Sequence, residues 1–371
     1  MTTEERARLD LSGYVVTDPD ASFMNVAERM DLLRRTDNYL LRNTADELVL
    51  RTNCQRAAAI PALDFQIRLP NYYPDPDLLQ ELSQPLSIFE ETVSDLAGAF
   101  VASGDPYYAD CLVDLLFRLA ESGAFENFYY APESPQAWYV TEASLFAAAL
   151  NYSLVRQVHP IASSKATVIE EWLARSARRH RNIAGRADGS CCNHRLYRRG
   201  LYSTAIGILV DDNALFQFGV STLYSALSQM EPDGSLPLEL ARGDRAFHYH
   251  NYSLLYLTPI AHLIERQGYS AFDLYVDNNN IMRIYEYTIS SIYDNHHNNF
   301  DQNTDNNFSF IRNERYLAWI EIYLFHFENE FLEELIMTNR PLFNRSMIGN
   351  VTLYFMDPES QFTYENENNI Q

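Results

Sequence analysis

The sequence predicts an all-α fold, and three observations carry that prediction. Long stretches place apolar residues at helical spacing. They are separated by Pro, Gly, Asn or Asp punctuation. Alternating apolar and polar runs of the strand type are scarce.

The expected helices follow in order. The first runs from Asn25 to Leu48, the next from Leu78 to Ala102, and a third from Tyr107 to Ser122. Others cover Gln136 to Val158, Lys165 to Ile183, His194 to Leu209, Asn213 to Gln229 and Tyr249 to Gln267. Two more lie near Ile281 to Asp294 and Arg315 to Phe327, and the closing GNVTLYF reads as a short strand. Helices joined by short connections pack as antiparallel hairpins, and a series of hairpins can close into a ring around a cleft. Residues 51–76, rich in proline and aromatics, interrupt the pattern; a loop this long in a compact domain is typically a lid or a binding loop. The Asn-rich stretch 277–307 reads as surface loop around one short helix.

With 47% hydrophobic and 13% aromatic residues, the chain has the composition of a packed protein. Its 371 residues suffice for one large core or two smaller ones. No apolar run approaches the ~18 residues a membrane span requires, and MTTEERARLD lacks the basic-then-apolar order of a secretory leader. The chain therefore reads as soluble, without membrane insertion. A net charge of −22 excludes a general nucleic-acid binder, which needs a basic footprint. The distribution of charge matters more than the sum. Arg175, Arg178, Arg179, Arg181, Arg186, Arg195, Arg198 and Arg199 are opposed in that interval only by Asp188, so one face is expected to be locally positive. Cys54, Cys111, Cys191 and Cys192 show neither a CxxC spacing nor the pattern of a disulfide framework.

Two segments concentrate chemistry. DGSLPLELARGDRAFHYHNY, from Asp233 to Tyr252, gathers acids, arginines, histidines and tyrosines within twenty positions. CCNHRLYRR opens a predicted helix and sets Asn193 and His194 where a helix N-terminus presents donors to an anion.

These two segments resemble the motifs of the alginate lyases of polysaccharide lyase family 5 and their wider superfamily. That family has Asn-Asn-His followed after one residue by aromatics, and, several dozen residues later, a motif ending in His-Asn-Tyr. CNHRLY and RAFHYHNY match both in order, and Trp138, LAWIE and GNVTLYF extend the likeness over most of the chain. The resemblance implies an incomplete (α/α) toroid formed by the whole chain as one domain. It also implies an acidic polysaccharide substrate, a reaction without metal or other cofactor, and a periplasmic or secreted location, whereas the start as written is equally that of a cytoplasmic protein, so the location stays open. It places catalysis at Asn193, His194, Arg245 and Tyr252. The sequence departs from the family at Cys192, where the first Asn stands, and at Leu196 and Tyr197, a pair that replaces the family's Trp.

These residue types suit β-elimination from a uronate. Removing the C5 proton is difficult because the adjacent carboxylate is already negative. An Asn193 amide, a His194 ring nitrogen and Arg245 can supply hydrogen bonds that strengthen as an enolate-like intermediate forms. Tyr252 can then take the proton and return one to the departing glycosidic oxygen, with Arg245 seven positions away favouring the phenolate; His194 is the rival base. Arg242, Tyr249, His250, Trp138 and Arg198 are expected substrate contacts, as are Tyr72 and Tyr73 on the lid. Glu239 is either a substrate contact or the structural partner of Arg242. Mannuronate-rich alginate is the leading substrate, with glucuronan or a heteropolymeric exopolysaccharide behind it. Two other classes stay open: a hydrolase using carboxylates among Asp211, Asp212 and Glu239, and a non-catalytic polysaccharide-binding or export-associated protein on the same scaffold.

Overall fold

The computed structural model describes residues 1–71, 75–131, 135–186, 190–297 and 308–360. Its helices are α1 (Thr3–Arg6), α2 (Val26–Arg35), α3 (Tyr39–Arg51), α4 (Cys54–Ala59), α5 (Pro76–Ser103), α6 (Pro106–Ser122), α7 (Gln136–Val158), α8 (Ser163–Arg181), α9 (His194–Leu209) and α10 (Asn213–Gln229). They continue as α11 (Pro237–Leu240), α12 (Ala246–Arg266), α13 (Ile281–His297), α14 (Glu314–Leu317), α15 (Trp319–His326), α16 (Glu330–Met337) and α17 (Val351–Phe355).

Local chemistry sets these boundaries. Asp75 and Asp105 accept from the first free backbone N–H groups of α5 and α6, and Pro76 and Pro106 follow where no N–H is needed. Gly123, at φ 69°, ends α6 in a left-handed turn that a side chain would strain. The predicted first helix is in fact two. Thr36 turns extended, and the Asn38 side chain caps a new start by accepting from Leu41 N.

The helices form two layers. α5, α7, α9 and α12 pack side by side in that order, while α6 and α8 cover them and α10 backs α9. Every residue of α9 except Arg195 is buried, as the position of an inner helix demands. Its crossing with α10 is close because Gly219 has no side chain; a Cβ there would stand 1.7 Å from Thr204 Oγ1. Beyond α12 the ring continues through α15 and α17 to α3 and back to α5, giving the toroid of helical hairpins. Arg29 of α2 ties this return, donating to the carbonyls of Leu353, Met356 and Thr352. No described helix is long and apolar enough to cross a membrane.

Four further expectations are corrected. GNVTLYF is a helical turn, α17, wholly buried and wedged between α3 and α15, so its apolar run reflects burial on all sides and not a strand. The helix expected from Arg315 to Phe327 is split at Ala318 into α14 and α15. Residues 51–76 are not loop throughout. Asn53 caps α4, and the following chain is pinned where Ile67 N donates to Asn127 O at 2.8 Å and Ile67 O accepts from Tyr129 N at 2.8 Å. The cysteines are paired, Cys54 with Cys111 and Cys191 with Cys192.

Candidate active site

α9 and α12 lie against each other, and residues spaced one turn apart on each meet across their contact. On α9 these are His194 and Arg198; on α12 they are His248, Tyr252 and Tyr256. All of these but Tyr256 form part of the wall of a cleft of about 1430 Å³, which also takes in Tyr139 of α7 and Tyr249; Tyr256 is buried against Arg198.

Asn193 begins α9. Its side-chain oxygen accepts from Arg195 N at 3.1 Å, while its Nδ2 is buried with no partner. The acceptor end is thus used as a helix cap and the donor end is unspent. His194 is nearly buried at 3% exposure, with its imidazole at the cleft wall. Its Nδ1 lies 2.9 Å from Glu239 Oε2, and its backbone N–H donates to Glu239 Oε1 at 2.6 Å. Burial lowers the His194 pKa most; Glu239 opposes this, and the Arg195 and Arg242 charges lower it further, so the ring is neutral at neutral pH. Burial pushes Glu239 the other way, but the His194 ring, its backbone N–H and Arg242 together hold the carboxyl below its ordinary value.

Tyr252 meets His194 edge to face at a centroid separation of 5.6 Å. Its hydroxyl accepts from Arg198 Nη2 at 3.0 Å. The Arg198 guanidinium is held on all sides. Nε donates to Tyr256 Oη at 3.0 Å, Nη1 donates to the Tyr139 carbonyl at 3.0 Å, and the group lies 3.7 Å from the Tyr139 ring centroid. Burial would raise the Tyr252 pKa, but Arg198, hydrogen bonds with Tyr256 and Tyr139, and Arg315 outweigh it, and the net direction is down. Burial dominates at Tyr139 and Tyr256, whose pKa values stand well above the ordinary phenol. One tyrosine of the three is therefore singled out for the phenolate. The cation responsible is Arg198, not Arg245 as the seven-residue spacing suggested. Arg245 lies in the tight turn Gly243–Arg245 ahead of α12 and borders the same cleft.

The positive charge is distributed differently from the expectation of one basic face. On α8, Arg175 pairs with Glu126, Arg178 pairs with Asp212, and Arg179 donates to the Glu126 carbonyl while lying over Phe128. The cleft instead collects Arg186, Arg195, Arg198, Arg242, Arg245, Arg315 and Arg345, against Glu90, Glu91 and Glu314. In a chain of net charge −22, this is a localised positive trough.

Of the expected substrate contacts, Arg198, Arg242 and Tyr249 border the cleft. The Arg242 guanidinium stands 4.8 Å from the Tyr249 ring, which stacks on His194 at 4.9 Å. Three others are corrected. Trp138 is 1% exposed and lies in the core under Arg199; its neighbour Tyr139 is the cleft residue. His250 turns away to Thr288 Oγ1 at 3.1 Å, and His248 takes the cleft side. Glu239 is fully buried behind His194, so it neither touches a substrate nor acts merely as the mate of Arg242. Tyr72 and Tyr73 fall outside the described residues. The sequence reading missed Tyr256 and His248, which stand one turn to either side of Tyr252, and Arg315 and Arg345, which no motif marks.

Asp211 and Asp212 do not border the cleft, and Asp212 caps α10 and pairs with Arg178. Cys192, Leu196 and Tyr197, where the sequence departs from the lyase motif, are all buried away from the cleft; Tyr197 Oη accepts from Gln229. No three His, Cys, Asp or Glu residues converge as a metal site among the described residues.

Residues 66–298 match the family model described as alginate lyase. A polysaccharide lyase of Stenotrophomonas maltophilia is 32% identical over 198 residues, 52% of this chain and 59% of that protein. The chain spans little more than half the length of the curated relatives it matches, 53% for one from Pseudomonas putida. The crystal structure of alginate lyase A1-III from Sphingomonas species A1 superposes with a TM-score of 0.81 at 26% identity, covering 94% of this chain and 99% of that one. A histidine-to-alanine variant of alginate lyase A1-III complexed with a tetrasaccharide superposes at 0.82 with 25% identity, covering 95% and 99%.

Proposed function

Because this chain belongs to the alginate lyase family, we propose that it cleaves a uronate-containing polysaccharide by β-elimination, with mannuronate-rich alginate as its substrate. The observation that carries the reading is the Arg198-held Tyr252 hydroxyl beside His194 in an arginine-lined cleft. A structural neighbour holding a tetrasaccharide supports a sugar chain as the occupant.

In this mechanism the uronate carboxylate is received by the His194 ring and Arg245 at the cleft wall, with the unspent amide of Asn193, itself fully buried and outside the cleft lining, as a third donor next to His194 in the chain. Tyr252, as phenolate, takes the C5 proton. The C4–O bond breaks as a C4–C5 double bond forms, and the same phenol returns a proton to the departing oxygen. No water is consumed, and Tyr252 ends as it began. Donors fixed before the reaction lose nothing to reorganisation as charge builds up on the carboxylate, and each is worth ~3–4 kcal/mol in comparable sites. The burial of Cys192, Leu196 and Tyr197 favours retaining the family's substrate, since none of these departures reaches the cleft.

The test is incubation with polymannuronate, polyguluronate and glucuronan while following ultraviolet absorbance. Unsaturated ends should appear fastest on polymannuronate. New reducing ends without absorbance would establish hydrolysis instead, and binding without turnover would establish a carbohydrate-binding protein.

A further inference from the structure

Glu239 has no access to the cleft, yet both of its oxygens are spent on His194. That arrangement fixes the tautomer. Nδ1 carries hydrogen toward a carboxylate, so in the neutral ring Nε2 bears only a lone pair. A lone pair cannot donate to a uronate carboxylate and repels it.

The groups facing the ring decide what happens when an anion arrives. Among the described residues, Glu239 of α11 is the carboxylate hydrogen-bonded to the ring. Arg195 of α9 and Arg242 after α11 contribute positive charge, and burial adds to their effect. Tyr249 stacks on the ring at 4.9 Å, Tyr252 and Tyr139 meet it edge-on at 5.6 and 6.2 Å, and His248 is close enough for the charge of His194 to lower its own pKa. By themselves these influences keep the imidazole neutral. A second carboxylate at Nε2 would place the ring between two anions, the arrangement in which imidazolium is the stable form.

We propose that Glu239 and His194 act as a proton-uptake pair, in which binding of a uronate draws a proton from solvent onto His194 Nε2 and Glu239 balances the resulting charge. The inference rests on the reading of the cleft as a uronate site. It makes Glu239 a positioning residue and assigns His194 the role of donor to the carboxylate, leaving the C5 proton to Tyr252. No bond to the sugar changes in this step; one N–H bond forms, and the proton comes from the buffer.

The test uses the Tyr252→Phe protein, which holds substrate without turnover, and tetramannuronate as probe. Calorimetric titration at pH 8 in two buffers of different ionisation enthalpy counts the protons taken up. At that pH the carboxyl of Glu90, raised to about 6, and the imidazole of His248, lowered to about 4, do not contribute. Uptake of close to one proton per site is expected. Glu239→Gln in the same background should abolish uptake and weaken binding at least tenfold, and Glu239→Asp should restore part of both. Unchanged uptake in Glu239→Gln, or tight binding without uptake in the parent, overturns the proposal. If Glu239→Gln misfolds, the parent's affinity should still fall about tenfold per pH unit at alkaline pH; a flat profile is equally fatal. The two readings fail separately: cleavage of uronate polymers by wild type without proton uptake removes only this proposal, whereas uptake without cleavage removes only the lyase.

Discussion

Arg198 donates to the Tyr252 hydroxyl at 3.0 Å from the turn of α9 that follows His194. Two helices thus bring a fixed cation to the phenol of Tyr252, in the cleft wall beside His194.

Removing that cation should move the pH dependence of turnover. The active form of Tyr252 is the phenolate, so kcat rises with pH through its pKa, and Arg198 shifts that rise to lower pH. In Arg198→Met the ascending limb is expected at least one pH unit higher, with kcat near neutrality reduced on the order of tenfold or more. A pH–rate profile with the limb unmoved would show that Arg198 only supports the wall.

Tyr252→Phe and His194→Ala are each expected to abolish elimination while leaving the helical circular dichroism spectrum intact. Asn193→Ala has a mixed effect. It removes the cap of α9, costing ~1 kcal/mol of stability, and it removes a donor to the carboxylate, costing on the order of 10²-fold in kcat. Denaturant melts measured beside kinetics separate the two, because capping alone leaves kcat unchanged below the melting range.

How much of this was legible in the sequence depends on how far apart the partners lie. The ends of α9 and α10 are visible because Asn193 and Asp212 are caps and the helices they open are periodic. The pairing of Glu239 with His194 crosses 45 residues, and only the fold brings it about. Trp138 and Tyr139 could not be told apart on α7, where so many residues are buried that no polar face marks which side meets the cleft. α17 is five residues long and buried throughout, too short for its periodicity to separate helix from strand.

The positive trough predicts a steep salt dependence. Seven cleft arginines inside a chain of net charge −22 attract a polyanion only where its charges reach them, and dissolved ions screen that attraction. Raising sodium chloride from about 20 to about 300 mM, where the screening length drops well below ~10 Å, should lower kcat/KM for polymannuronate severalfold through KM. Arg245→Ala should raise KM and flatten this dependence. A kcat/KM insensitive to salt would mean that the arginines are engaged within the protein and do not meet the substrate.

Acid should unfold the protein through its buried histidines. His262 Nε2 donates to the Phe23 carbonyl, so its Nδ1 must accept, and His326 Nε2, 2.8 Å away, must be the donor. Both rings are neutral in this arrangement, and a proton on His262 would set two donors against each other. Burial drives His262 to about 3 and His326 to about 4, and it likewise drives His250 and His248 to about 4. The unfolded chain binds these protons near the ordinary pKa of ~6.5. Above that value neither state is protonated and stability is flat with respect to these groups. As pH falls from there toward 4, the unfolded state gains protons that the folded state refuses, and each such group removes up to ~1.4 kcal/mol per pH unit. Urea midpoints measured from pH 7 down to pH 4.5 should therefore fall steadily, and His262→Gln, which keeps a donor for Phe23, should make the fall shallower. A midpoint constant across that window would mean that the histidines are protonated in the native state and that the neutral pair does not exist.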